Sequence, residues 1–219
     1  MADLTASRGP AETERAAADR LAFFSDAVVA IAITLLALDL PIPAGDTNAE
    51  LLRSAGQEGE DYLAFVISFL VISAHWRGHH RVFRYFMAAP TAVVWWNLLW
   101  LMMIVLTPFA TRVLTHSGGG FEVRFAFYAL VQALAALFLL LAVRVIARRH
   151  LLDPQSPPTL VADAVLGLGT IAISFLVSIP LAFVISSWAY LCWAAGPMLE
   201  RVIRWRWPLP VSTVDRSPG

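Results

Sequence analysis

Residues 20–43 read RLAFFSDAVVAIAITLLALDLPIP, and between 21 and 38 this stretch carries one acid among apolar and small hydroxyl side chains. Such a run is long enough to cross the roughly 30 Å hydrocarbon core of a bilayer as a helix. The acid is its anomaly: Asp26 lies about one turn inside the apolar run, beside Ser25, where an ionisable group is costly enough to imply a partner or a task. At about 100° per residue, Ala27, Ile31, Leu35 and Leu38 fall within about 40° of Ile31, and Thr34 about 60° away. Asp26 lies about 140° round the helix and Asp39 about 80°. One face is an aliphatic and threonine stripe, and Asp26 points away from it.

A hydrophobic fraction of 58% and mean hydropathy of +0.67 exceed those of an ordinary soluble domain and place the chain among integral membrane proteins. The 219 residues leave room for several spans and no sizeable soluble domain. The sole cysteine, Cys192, excludes an intramolecular disulfide and a thiol-metal cluster, and reads as a small packing residue. The first twenty residues are polar and alanine-rich, and the apolar run after them is longer than a cleavable signal's core, so it reads as a retained first span.

The hydrophobic pattern predicts an all-α membrane protein of six transmembrane helices, at about 21–40, 62–84, 91–112, 123–147, 159–177 and 181–201. They form one domain over 20–203, between a polar segment at 1–19 and a tail at 204–219. Pro41 and Pro43 stop the first helix, Gly118 to Gly120 make a flexible turn, and Pro180 either separates or merely kinks the last two helices.

All 16 basic residues are arginine. With a cytoplasmic N-terminus, thirteen of them fall on the inner side: Arg8, Arg15, Arg20, Arg77, Arg81, Arg84, Arg144, Arg148, Arg149, Arg201, Arg204, Arg206 and Arg216. Only Arg53, Arg112 and Arg124 fall outside, and that asymmetry predicts a multi-pass cell-membrane protein with both termini in the cytoplasm. Trp95, Trp96, Trp205 and Trp207 stand near the inner ends, as interfacial anchors do. The outer loop at 44–61 is acidic; it either concentrates cations at an outer mouth or is a plain solvated loop.

No nucleophile, base and orienter share a readable arrangement, and Ser68, Ser73, Ser174, Ser178, Ser186 and Ser187 are scattered on apolar helices. Phosphate-cradling glycine loops and nucleic-acid signatures are missing too, so an enzyme, a bound cofactor and a nucleic-acid partner are not expected. His75 and His79 stand at i, i+4, but nothing completes a metal ligand set and the adjacent arginines repel a cation. His79, His80 and Asn97 are candidate partners for Asp26, which favours tethering of the first helix over a direct ion site.

The order Arg20-x-x-x-Phe24-Ser25-Asp26 followed by AVVAIAITLLALDL resembles the first helix of the transmembrane protein 175 family, potassium-permeable channels of lysosomes and bacteria. WRGHHRVFR at 76–84 and NLLWLMMIVLTPFAT at 97–111 resemble the same family, so the motifs cover about the first half of the chain. The resemblance implies a central pore lined by the first helix of each repeat, with bulky aliphatics narrowing it and a threonine layer bearing on cation selectivity. By motif alignment the constriction falls on Ile31, the threonine on Thr34 and neighbouring pore positions on Leu35 and Leu38. It also implies that Arg20, Phe24, Ser25 and Asp26 join a hydrogen-bonded network with the second helix and its neighbours. Because this chain carries one six-helix repeat, the family's architecture implies a homotetramer.

Read without the resemblance, the same stripe faces lipid or another helix, and the Thr34 hydroxyl bonds its own backbone. Asp39 at the outer end either draws cations to a vestibule or is simply hydrated. An aliphatic ring can close a pore by dewetting, and no TVGYG-type filter is present, so selectivity would rest on side chains. The expected function is passive, potassium-favouring conduction. The alternative is a proton-coupled transporter or proton leak using Asp26 and the membrane histidines.

Overall fold

The computed structural model describes residues 9–206. Arg8, Trp207, Arg216, the segment 1–8 and the tail beyond 206 lie outside the described residues. The elements are α1 (Pro10–Leu38), α2 (Asn48–Gln57), α3 (Gly59–Phe83), α4 (Thr91–Thr115), α5 (Phe121–Arg148), α6 (Leu160–Ile185), a 3-10 turn (Ser186–Tyr190) and α7 (Leu191–Arg206). Among the described residues there is no strand beyond one isolated antiparallel bridge, Phe86 with Leu152. By length and apolarity, α1, α4, α5 and the α6–α7 stretch can each cross a membrane. Six helices thus run sixteen residues or more, with α2 as a short seventh.

Three boundaries differ from those read off the sequence. The segment AETERAAADR, rich in strong helix formers, continues α1 backward to Pro10, whose missing N–H costs nothing at a first helical position. At 29 residues α1 is about 43 Å long, more than a bilayer core requires. Its N-terminal extension is tied down by Arg15, which lies 3.8 Å from Asp153 and donates toward the Met87 sulfur at 3.4 Å.

The acidic loop contains a helix, α2, begun by a capping box. Thr47 accepts from the Glu50 amide at 3.3 Å, while the Glu50 carboxylate accepts from the Asp46 and Thr47 amides at 2.9 and 3.1 Å. Those amides hold the Glu50 carboxyl below the usual carboxylate range.

α6 runs straight through Pro180, and the break falls instead at Ser186, a non-glycine residue at φ 51°. Proline at membrane depth is tolerated because local bonding re-satisfies the freed backbone. Close by, the Ser178 hydroxyl donates to the Phe175 carbonyl at 2.7 Å and accepts from the Trp193 indole N–H at 2.8 Å, which ties α7 to α6 beside the proline.

α5 is the central post. Ala129, Ala133, Ala135, Ala136 and Ala142 are buried along it, and their small size lets α4 and α6 approach closely. Larger side chains, among them Trp100, Phe125, Tyr128 and Leu139, fill the remaining interior. Some of the buried polar groups pair with one another, whereas both ring nitrogens of the buried His75 have no hydrogen-bond partner among the described residues. Thr111 donates to the Thr107 carbonyl at 2.9 Å, so the Ser68 hydroxyl, 2.7 Å away, donates to Thr111 and in turn accepts from Tyr128 at 3.0 Å.

Among the described residues α1 packs mainly against α3 and α4 and is the least buried of the membrane-length helices. Its inward stripe is Ala18, Ser25, Val29, Ala32 and Leu36, spaced as one helix face.

Close packing around α5 makes a specific demand. Ala135→Leu, at a fully buried site, should destabilise the chain by about 1–3 kcal/mol through overpacking. Leu137→Ala, on the same helix at 41% exposure, should cost less than about 1 kcal/mol. Heating both variants in detergent while following helix content checks this; equal midpoints would contradict the tight α5 seam.

Candidate functional site

The face of α1 opposite its inward stripe looks out of the subunit. Ile31 is 60% exposed, Leu35 40% and Leu38 78%, and Phe24, two turns before Ile31, lies on the same side at 52%. Thr34 is exposed among them and donates to the Ile31 carbonyl at 2.8 Å. With its one hydrogen committed inward, what the hydroxyl presents outward is an acceptor oxygen, the half of the group that suits a cation.

Behind this stripe two hydrogen-bond systems fix α1 at adjacent residues. In the first, the Ser25 hydroxyl donates to the Leu21 carbonyl at 2.8 Å and accepts from the Asn97 amide nitrogen on α4 at 2.9 Å. The Asn97 carbonyl oxygen lies 3.0 Å from His79 Nε2 on α3, so the imidazole carries its proton on Nε2. Ser25, His79 and Asn97 are all buried. Ring stacking holds the imidazole in place, with Phe83 at 3.8 Å on one side and Trp100 at 4.4 Å, only 7° from parallel, on the other.

In the second system the Trp76 indole N–H donates to the Asp26 carboxylate at 2.9 Å, and Trp76 stacks on His80 at 5.3 Å. A hydrogen bond to a charged acceptor at partial exposure is worth about 1.5–3 kcal/mol. At its C-terminal end α1 is held more loosely. Arg112 on α4 lies 3.4 Å from Asp39 with both side chains substantially exposed, and the Tyr62 hydroxyl donates to the Pro41 carbonyl at 2.9 Å. An exposed ion pair contributes about 0–1 kcal/mol.

Of the residues singled out in the sequence, Ser25, Asn97 and His79 meet directly, and Asp26 stands beside them on its own donor. His80 is exposed and reaches Asp26 only through the Trp76 ring. Arg20 is exposed and has no hydrogen bond or ion pair among the described residues, and Phe24 lies on the outward stripe instead of in the network. Asp39 is partnered by Arg112, a residue the sequence reading left in the outer arginine count. Trp76 is the participant that reading missed. Its signal was available: an indole N–H inside an apolar helix needs an acceptor, and Asp26 is the nearest acid in the preceding span.

The profile of the family described as endosomal/lysosomal potassium channel TMEM175 matches residues 20–108, which hold α2 and α3 and most of α1 and α4. A protein of Streptomyces collinus named as a potassium channel is 39% identical over 140 residues, covering 62% of this chain and 68% of that one. A potassium channel of Chamaesiphon minutus is 37% identical over 105 residues, covering 47% and 52%. The crystal structure of a lysosomal potassium-selective channel TMEM175 homolog from Chamaesiphon minutus superposes with a TM-score of 0.66 at 26% identity, over 87% of this chain and 98% of that one. The matched segment contains both hydrogen-bond systems that hold α1, and by sequence and architecture together this chain belongs to the TMEM175 family.

Proposed function

We propose that the chain is a potassium-favouring cation channel that conducts passively through a pore shared by four copies in the cell membrane, with both termini cytoplasmic. The observation that carries this reading is the division of α1 into two faces. One is locked into the subunit by Ser25 and Asp26, and the other presents Ile31, Thr34, Leu35 and Leu38 outward. One helix cannot enclose a pore, so the outward stripe needs copies of itself, and four is the number that the family resemblance implies for a chain with one repeat. The potassium-channel names of its relatives and the whole-length likeness to a potassium-selective channel support the ion.

On this reading Ile31 forms a ring whose apolar wall disfavours a water column and sets the barrier to conduction, with Leu35 and Leu38 extending the narrow zone outward. Thr34 supplies a layer of acceptor oxygens to a partly dehydrated ion. The Ser25–Asn97–His79 bonds and the Trp76–Asp26 bond hold the pore helix in register. Asp39, already facing Arg112, adds little free negative charge to the outer mouth. The proton-coupled alternative is not favoured, since Asp26 is engaged by Trp76, His79 by Asn97, and the Streptomyces and Chamaesiphon relatives carry potassium-channel names. No catalysis and no cofactor enter the mechanism.

Reconstitution in liposomes under potassium, sodium and proton gradients tests the proposal. Ile31→Ala should raise cation flux about tenfold, corresponding to a barrier lower by about 1.4 kcal/mol; unchanged flux in folded protein would remove Ile31 from the pore. Thr34→Ala should leave total flux measurable while moving the potassium-to-sodium permeability ratio toward one, and an unaltered ratio would put selectivity elsewhere. Asn97→Leu removes the donor to Ser25, whose own bond to the Leu21 carbonyl survives, and leaves the buried His79 without its hydrogen-bond partner; it should destabilise the chain by about 1–3 kcal/mol, read as a lowered thermal midpoint in detergent. A wild-type midpoint would mean that α1 is held by something else.

A further inference from the structure

Arg77, Arg81 and Arg84 follow one another on α3 at i, i+4 and i+7 and so share one face of the helix. That face is one wall of an open cleft of about 390 Å³, whose other wall is the start of α6, with Leu160 buried at its base. Neither Arg77 nor Arg81 is ion-paired or hydrogen-bonded among the described residues, and Arg84 donates one N–H to the Tyr85 hydroxyl at 2.8 Å. Asp163 is the one carboxylate lining the cleft and is itself engaged with a neighbour. Glu200 lines an adjoining cavity with Arg77, Arg81 and Asp163 and is likewise engaged, so three guanidiniums face two carboxylates and the cleft is left net positive; the N-terminal end of α6 adds its dipole to the same sign. The wall nearest α1 is rigid, because Trp76 is held both by Asp26 and by its stack on His80.

We propose that this cleft binds the phosphate-bearing headgroup of an anionic phospholipid. Planar guanidiniums match phosphate oxygens in pairs, which makes arginine well suited to this recognition. The cleft lies at the end of the bundle where the chain concentrates its arginines, the side on which a membrane carries its anionic lipids, and the apolar α6 leads away from it as a path for acyl chains. A free phosphate would meet the same arginines but would gain nothing from that apolar path. The site therefore selects a headgroup with its tails attached.

The test uses the full chain purified in detergent, titrated with phosphatidylglycerol or phosphatidylcholine, with bound lipid counted by native mass spectrometry. The wild-type chain should retain phosphatidylglycerol at least about fivefold better than phosphatidylcholine, and Arg81→Gln should lose about fivefold of that retention. Arg77→Gln combined with Arg81→Gln should lose about 25-fold, whereas Arg148→Gln with Arg149→Gln, exposed but outside the cleft, should match the wild type. Equal retention of the two lipids by the wild type overturns the proposal without reference to any variant. So does an equal loss from the Arg148 and Arg149 pair, which would indicate diffuse charge. Inorganic phosphate that displaces phosphatidylglycerol at comparable concentration would reassign the cleft to a soluble anion. The readout is binding and not flux, so its outcome is separate from that of the channel reading.

Discussion

One buried amide, Asn97, sets how α1 stands against the rest of the molecule. It uses both ends of its side chain, donating to Ser25 on α1 and accepting from His79 on α3, so three helices meet at one group. In a low-dielectric interior an unpaired polar group costs about 1–3 kcal/mol, which turns these bonds into a requirement on register. A rotation of α1 by one residue, about 100°, would take Ser25 off Asn97 and Asp26 off Trp76 together. The indole and the amide read adjacent residues and so oppose the same slip.

That lock fixes by subtraction what α1 shows outward. With Ala18, Ser25, Val29, Ala32 and Leu36 committed inward and Leu21, Val28 and Ile33 packed at the flanks, Ile31, Leu35 and Leu38 are left facing away from their own bundle. The two ends of the helix are held unequally. Near the Asn97 end there are buried bonds and a stacked imidazole, while near Asp39 there is an exposed ion pair and a single tyrosine hydroxyl. If the proposed pore widens by helix movement, the looser outer half of α1 is where displacement is cheapest.

The two faces of α1 were legible in the sequence because the 100° period separates Ile31 from Asp26 without reference to any other helix. The need of Asp26 for a partner was legible too, but its identity was not. Pattern reading favours histidine and asparagine as polar partners, whereas Trp76 counts as apolar and conceals a donor. His79 and Asn97 came through as partners of the network, at Ser25 instead of at the acid. α2 was concealed by its acidity, although Thr47 and Glu50 carry a capping box at the right spacing. The course of α6 past Pro180 could not be read, because a proline breaks a helix in water far more readily than within a packed membrane bundle.

The placing of polarity completes the physical picture. Helices already in a membrane gain no hydrophobic free energy by meeting, so their association depends on small-residue packing and on hydrogen bonds between them. This chain puts its alanines on α5, and inside the subunit Ser25 bonds Asn97 and Asn97 bonds His79, while Ser68 bonds Thr111 and Tyr128. The outward stripe of α1 receives a single hydroxyl, Thr34, whose hydrogen is turned back to its own helix. Polar side chains thus serve cohesion, and the proposed conduit is left with aliphatic walls. A path built that way restrains ions through the work of wetting and partial dehydration, and it needs neither a binding cage nor a fixed charge to do so.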